Sequence, residues 1–323
     1  MKLFKNPLSN KNFSDPFITY DETTGYYYFI ASCQCNELTI YRNKTLSGIL
    51  NDGDCKVVYK CEGVNQEYGP MWAPEMYKIE NKWYIYTSCR EVDSDNIWDT
   101  KRLMILTSKT EDPFDGFEFA SKPDIKIFAI DPTFTIIDGK KYMCYSQVAD
   151  DGVQVLMIRE MKDAMTFTDN VAEIARPTLS WELKEGYKGN HAIAEGAFFL
   201  KKDGRLFIVY SANGCWSDDY CLGVLEYVGG EICDADSWKK HAEPLFVKGN
   251  GIFGVGHASF FDSPDKKEVW CAYHCLLRSN PERKEMDRHT CIQKISFDKT
   301  GYPVMGMPIG VDIWQESPSG EQN

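Results

Sequence analysis

A chain of 323 residues that is 43% hydrophobic and 14% aromatic has ample apolar surface for a folded core, which excludes a disordered protein. Its 36 Lys and Arg stand against 48 Asp and Glu, a net charge of -12, and so acidic a surface repels phosphate backbones, so no nucleic-acid partner is expected. No stretch reaches the ~20 apolar residues that a bilayer span requires, so no membrane partner is expected.

Met1–Pro7 is basic but lacks the apolar run of a secretion leader, and on that ground a cytoplasmic location is expected. One phrase then recurs along the chain: a turn rich in Asp, Gly, Asn or Lys, an aromatic strand, and a small polar residue. It spans Glu22–Ser32, Ile79–Ser88, Ile137–Ser146, Lys202–Ser211 and Pro264–His274. The ends of these phrases lie 56, 58, 65 and 63 residues apart. Each reads as a hairpin, and segments such as Arg102–Ser108 and Val153–Arg159 read as further strands. Five units of ~40–60 residues, each of about four strands, predict an all-β five-bladed β-propeller, read as one catalytic domain over 1–323. A β-sandwich would not need so regular a pitch.

The 12 cysteines are scattered, and several sit in apolar runs such as Tyr142–Tyr145 and Val269–Tyr273. Buried free thiols are therefore expected in place of a disulfide framework. Cys33 with Cys35, and Cys271 with Cys275, lack the spacing of zinc sites.

Before each hairpin stands one conspicuous residue: Asp15, Glu75, Asp131, Glu195 and His257. Asp-Pro at 15–16 or 131–132 alone signals a turn, but recurrence in repeat register predicts that the five surround one central funnel. Glu195 lies in the nearly apolar run Ala192–Phe199, where a carboxyl acquires a raised pKa suited to a general acid. Glu75, in Trp72–Glu75, reads equally as a ligand contact or a structural pair. His257, in Gly254–Ser259, reads as a metal ligand, a residue orienting a water, or a packed residue. His274, His191 and His289 lack such support. No Walker loop, dinucleotide fingerprint or Ser-His-Asp motif is present.

The set Ser14–Phe17, Trp72–Glu75, Ile130–Pro132, Ala194–Gly196 and Gly256–His257 resembles glycoside hydrolase family 43 from Asp15 to about Gly301. The resemblance implies a five-bladed propeller that hydrolyses arabinosides and xylosides with inversion. It implies Asp15 as general base, Glu195 as general acid, and Asp131 as the residue that tunes and orients the acid. It further implies Arg288 as a substrate contact and His257 as an axial ligand of a calcium ion or a water. Trp72 offers a flat face for a pentose ring, and Glu75 is expected to contact substrate or to form a structural pair. No cofactor is required for such chemistry. The leading expectation is an exo-acting α-L-arabinofuranosidase on pentose-containing oligosaccharides. β-Xylosidase and endo-arabinanase are alternatives within the family, and a non-catalytic carbohydrate- or protein-binding propeller is the alternative of another class.

Overall fold

A computed structural model describes residues 3–32, 36–61, 71–90, 100–184, 192–282 and 287–321. After a short strand β1 (Leu3–Phe4), five four-stranded antiparallel sheets follow in chain order. The first holds β2 (Phe17–Asp21), β3 (Tyr26–Ile30), β4 (Glu37–Asn43) and β5 (Asp54–Lys60). The second holds β6 (Trp72–Ile79), β7 (Lys82–Arg90), β8 (Lys101–Ser108) and β9 (Phe117–Ser121). The third holds β10 (Ala129–Ile137), β11 (Lys140–Val148), β12 (Gln154–Met161) and β13 (Phe167–Ala175). In the fourth are β14 (Ala194–Lys202), β15 (Arg205–Ala212), β16 (Cys221–Tyr227) and β17 (Trp238–Lys240). The fifth comprises β18 (Phe253–Asp262), β19 (Val269–Leu276), β20 (His289–Phe297) and β21 (Pro303–Val304), and β22 (Gln315–Glu316) follows. Each sheet is a meander, as short turns demand. The turns Asp138-Gly139 and Asp203-Gly204 carry positive φ at both residues, the geometry that joins twisted strands with two residues.

The first strands β2, β6, β10, β14 and β18 pack each against the next around a ring that closes with β18 on β2. This is the predicted five-bladed propeller. Its blades are held by apolar side chains that alternate along the strands into the spaces between sheets, such as Ile85, Leu106 and Val224. The axis itself is plugged by aromatics: Phe17 meets Tyr77 at 5.3 Å and Phe198 at 6.3 Å, Tyr77 meets Phe134 at 5.5 Å, and Phe198 meets Phe260 at 5.7 Å between ring centroids. Edge and tilted contacts of this kind contribute about 0.5–1.5 kcal/mol each beyond burial.

Among the described residues no strand is exchanged between the first and last blades. The chain before β2 instead runs along β20: Leu8 N–H donates to Thr290 O, Phe13 N–H to Arg288 O, and the Asn6 side chain pairs with both backbone groups of Ile292. β1 pairs with β22, tying the two ends together. The ten described cysteines are all free and six are buried, as the apolar settings predicted. Among the described residues no helix is long and apolar enough to cross a membrane.

Candidate active site

Every first strand enters its blade through the same backbone device. Asp15, Ala73, Asp131, Gly196 and His257 all have φ between 45 and 56°. In β6, β10, β14 and β18 these residues fall in a two-residue break of register, a bulge that turns the chain at the mouth of the axis. The true equivalents thus lie 17, 15, 15, 15 and 17 residues before the ends of their phrases. Asp15, Asp131 and His257 occupy the predicted register. Glu195 precedes its left-handed residue by one, and Glu75 follows its own by two. At the fourth blade glycine fills the position, where a Cβ would lie 3.0 Å from His257 Nδ1 and 3.1 Å from Ser211 Oγ and would press on both.

Five of the predicted residues, Asp15, Asp131, Glu195, His257 and Arg288, meet in one place. Asp15 Oδ1 lies 3.3 Å from Arg288, 3.3 Å from His257 Nδ1 and 3.1 Å from His274 Nδ1, while Oδ2 accepts from the Ser32 hydroxyl. Asp131 Oδ2 accepts the Gly196 N–H at 3.0 Å and lies 3.9 Å from His257 Nδ1. Glu195 Oε1 accepts from the Tyr220 hydroxyl (3.0 Å) and Oε2 from the Gln154 amide (2.9 Å). Glu195 keeps part of its surface open, unlike the buried Asp15 and Asp131.

Opposed environments give these carboxyls opposed protonation. Burial penalises the Asp15 charge, but Arg288, His257 and His274 outweigh it and hold its carboxyl well below the usual range. For Glu195, burial dominates and the Asp15 charge adds to it. The bonds from Gln154 and Tyr220 and the Arg288 charge oppose them only in part, and its pKa is pushed up to about 7. Asp131 is driven far up by burial and by the charges of Glu195 and Asp15, against its bond from Gly196. Asp131 and Glu195 therefore titrate as a pair that disfavours double ionisation. Burial keeps His257 neutral at pH 7, and pushes the His274 pKa down to about 4.

Trp72 is half-buried at the start of β6, and the Lys101 ammonium covers its ring at 4.0 Å from the centroid. Arg288 is buried against Asp15, with its Nε atom unpartnered. Glu75 is placed elsewhere. Its carboxyl accepts from the Tyr77 hydroxyl inside the aromatic plug, and Tyr77 in turn meets Thr133 at 3.0 Å. Two residues past the bulge, its side chain is carried along the axis into the plug, so substrate contact is not its position in the structure. Around His257, calcium would need six to eight oxygen ligands. Among the described residues no three His, Cys, Asp or Glu side chains form a metal-holding group.

Tyr220, Gln154, Ser32 and His274 complete the site and were not singled out as site residues. Tyr220 lies in a loop before β16 and Gln154 opens β12, so no register with the first strands marks them. Gly256 holds a signal in retrospect: a Cβ there would lie 2.2 Å from Tyr220 Cε1.

A propeller whose axis ends in one carboxyl held ionised beside others held up has the acid–base pairing of glycosidase-type sites. The family model for glycosyl hydrolases family 43 matches residues 4–303, and the chain belongs to that family of glycoside hydrolases. It is 31% identical, over 95% of its length, to an extracellular exo-α-(1→5)-L-arabinofuranosidase of Streptomyces avermitilis, and spans 64% of that relative. It is 29% identical to a relative of the same name from Streptomyces chartreusis, over 84% of this chain and 82% of that one. Among solved structures, an α-L-arabinofuranosidase from Lactobacillus brevis superposes with a TM-score of 0.85 at 27% identity, over 96% of this chain and 98% of that one.

The expected cytoplasmic location is corrected by these findings, since both Streptomyces relatives are named extracellular. Physically, a leader is a removable segment outside the fold, so the start of this sequence was no measure of compartment.

Proposed function

We propose that this chain is an inverting exo-α-L-arabinofuranosidase that releases terminal arabinose from short arabino- or arabinoxylo-oligosaccharides. The names of the two Streptomyces relatives support α-1,5-linked substrates. The observation that carries the reading is the pairing of Asp15, ionised by Arg288 and two imidazoles, with Glu195, kept protonated near neutral pH by burial.

In the step proposed, Asp15 takes a proton from a water as that water's oxygen bonds to the anomeric carbon. Glu195 gives its proton to the departing glycosidic oxygen as the old bond breaks. Asp131 holds the Gly196 N–H, which fixes the backbone next to Glu195, and its own carboxyl is driven up when Glu195 ionises. Trp72 offers one indole face to the sugar while Lys101 backs the other.

Purified protein incubated with aryl α-L-arabinofuranoside and aryl β-D-xyloside tests the reading. Faster release from the arabinofuranoside is expected, with the β-anomer of arabinose appearing first by proton NMR. Faster xyloside turnover would transfer the reading to a xylosidase, and an initial α-anomer would make Asp15 a nucleophile. No turnover of either would leave a binding propeller.

A further inference from the structure

Four of the five repeat phrases end in serine, and the fifth ends in His274. Two of those serines show what the position does. Ser32 Oγ accepts the Ala73 N–H at 2.7 Å, and Ser211 Oγ accepts the His257 N–H at 2.8 Å. In these two blades the serine latches the left-handed residue of the next blade, whereas the Ser88 and Ser146 hydroxyls donate to the carbonyls of Trp72 and Ala194. Where the ring closes from the fifth blade to the first, that left-handed residue is Asp15. Its latch is His274, whose Nδ1 lies 3.2 Å from Asp15 N and 3.1 Å from Oδ1. With Nδ1 bare the ring accepts the backbone N–H; with Nδ1 protonated it donates to the carboxylate. Either way a single ring atom grips Asp15.

The rest of the imidazole has a second contact that serine cannot make. It lies flat on the Tyr220 ring, with centroids 5.3 Å apart and planes 3° from parallel. Tyr220 is the residue whose hydroxyl holds Glu195 Oε1. Gly256 leaves the space that lets Tyr220 stand there. His274 is fully buried and its Nε2 has no hydrogen-bond partner, a cost to stability that a serine at this position would avoid.

We propose that the stacked pair His274–Tyr220 is a spacer that sets the base against the acid, His274 positioning Asp15 and Tyr220 positioning Glu195 through ring-on-ring contact. This rests on the reading of Asp15 as base and Glu195 as acid. Neither ring needs to touch the reacting atoms. An inverting site must keep a gap for water between its carboxyls, and a misplacement of ~1 Å can cost about 100-fold in rate. Arg288, His257 and Ser32 still hold Asp15 if His274 is changed, so what is lost is its placement.

The test uses aryl arabinofuranosides with leaving groups of graded acidity. His274→Ser installs the residue of the other four blades, keeping a latch and removing the spacer. Its kcat should fall about 30- to 100-fold on every leaving group, with KM within about threefold and the thermal midpoint kept. Tyr220→Phe keeps the stack but frees Glu195, so its loss should grow as the leaving group becomes poorer. The double variant should lose less than the product of the two single losses, because once the stack is gone the Tyr220 hydroxyl no longer places Glu195. His274→Asn, a flat amide with an acceptor near the Nδ1 place, should recover part of kcat and carries the test if the serine variant does not fold.

Wild-type kcat in His274→Ser or His274→Asn, beside an inactive Asp15→Ala, would overturn the spacer and leave the acid–base reading intact. Additive losses in the double variant, or a fall in thermal midpoint with kcat unchanged, would overturn it too. An inactive wild type would remove the reading and the spacer together.

Discussion

The axis of this propeller holds buried carboxyls at two levels, and they behave differently. At the mouth, Asp15 meets a guanidinium and two imidazoles and stays ionised. Deeper, inside the aromatic plug, Glu75 finds only the hydroxyls of Tyr77 and Thr133. Burial dominates there and pushes its pKa up to about 8, so it is protonated at neutral pH. The contrast teaches that hydrogen bonds from neutral donors do not offset desolvation in this ring, whereas a nearby cation does. Glu195 falls between the two. It has two neutral donors and a more distant Arg288, and it is poised near pH 7.

The comparison breaks first at Asp15. Asp15→Ala should lower kcat about 1000-fold or more on all aryl arabinofuranosides, and added azide should restore part of the turnover by replacing the activated water. A loss below tenfold would remove Asp15 from the base role. Glu195→Ala is next. It should cost about 100-fold or more on arabino-oligosaccharides but only a few-fold on dinitrophenyl glycosides, whose leaving groups need no proton. Equal losses across leaving groups would contradict the acid assignment.

Asp131→Asn sharpens the comparison within the mouth. Asp131 is driven so far up that it is protonated where Glu195 titrates, so the neutral amide, which can still accept the Gly196 N–H, should leave the alkaline limb of the pH–rate profile in place. A limb shifted downward would make Asp131 the ionised member of the pair.

Glu75→Gln is the mildest change. Glu75 has a folded pKa of about 8 against an ordinary value of 4.5, so its contribution to stability is present below pH 4.5 and is lost as pH rises toward 8. The glutamine should therefore raise the thermal midpoint at pH 8 and change it little at pH 4, with activity near wild type. A lowered midpoint at pH 8 would show that the plug needs the carboxyl itself.

Much of this was readable before any coordinates. The aromatic phrases ending at Ser32, Ser88, Ser146, Ser211 and His274 mark the second strand of every blade, because each such strand is buried and its hairpin turn needs Gly, Asn or Asp. Asp15, Asp131 and His257 stood out because they occupy the same left-handed position. Glu75 was misplaced for a physical reason. The bulge in β6 puts Ala73 at that position, and a two-residue offset along a strand moves a side chain about 7 Å down the axis. Tyr220 comes from the loop before β16 in the acid's own blade and Gln154 from β12 of the neighbouring blade, and only the packing of those blades brings them to Glu195. His274 was visible only as the odd member of a serine series, a pattern whose meaning depends on the latch that the fold reveals.

The central claim is that one site holds a base kept ionised by the Arg288 cation and an acid protonated by burial. The pH dependence of kcat/KM for the wild-type protein on an aryl arabinofuranoside tests it most directly. Glu195 must be protonated to act, so activity should fall as pH rises through about 7; Asp15 must be ionised, so the acid limb should lie below the ordinary Asp range near 3.8. The alkaline limb should also vanish in Glu195→Ala assayed on an activated glycoside. A profile flat from pH 5 to 9, or an alkaline limb that survives in that variant, would contradict the account.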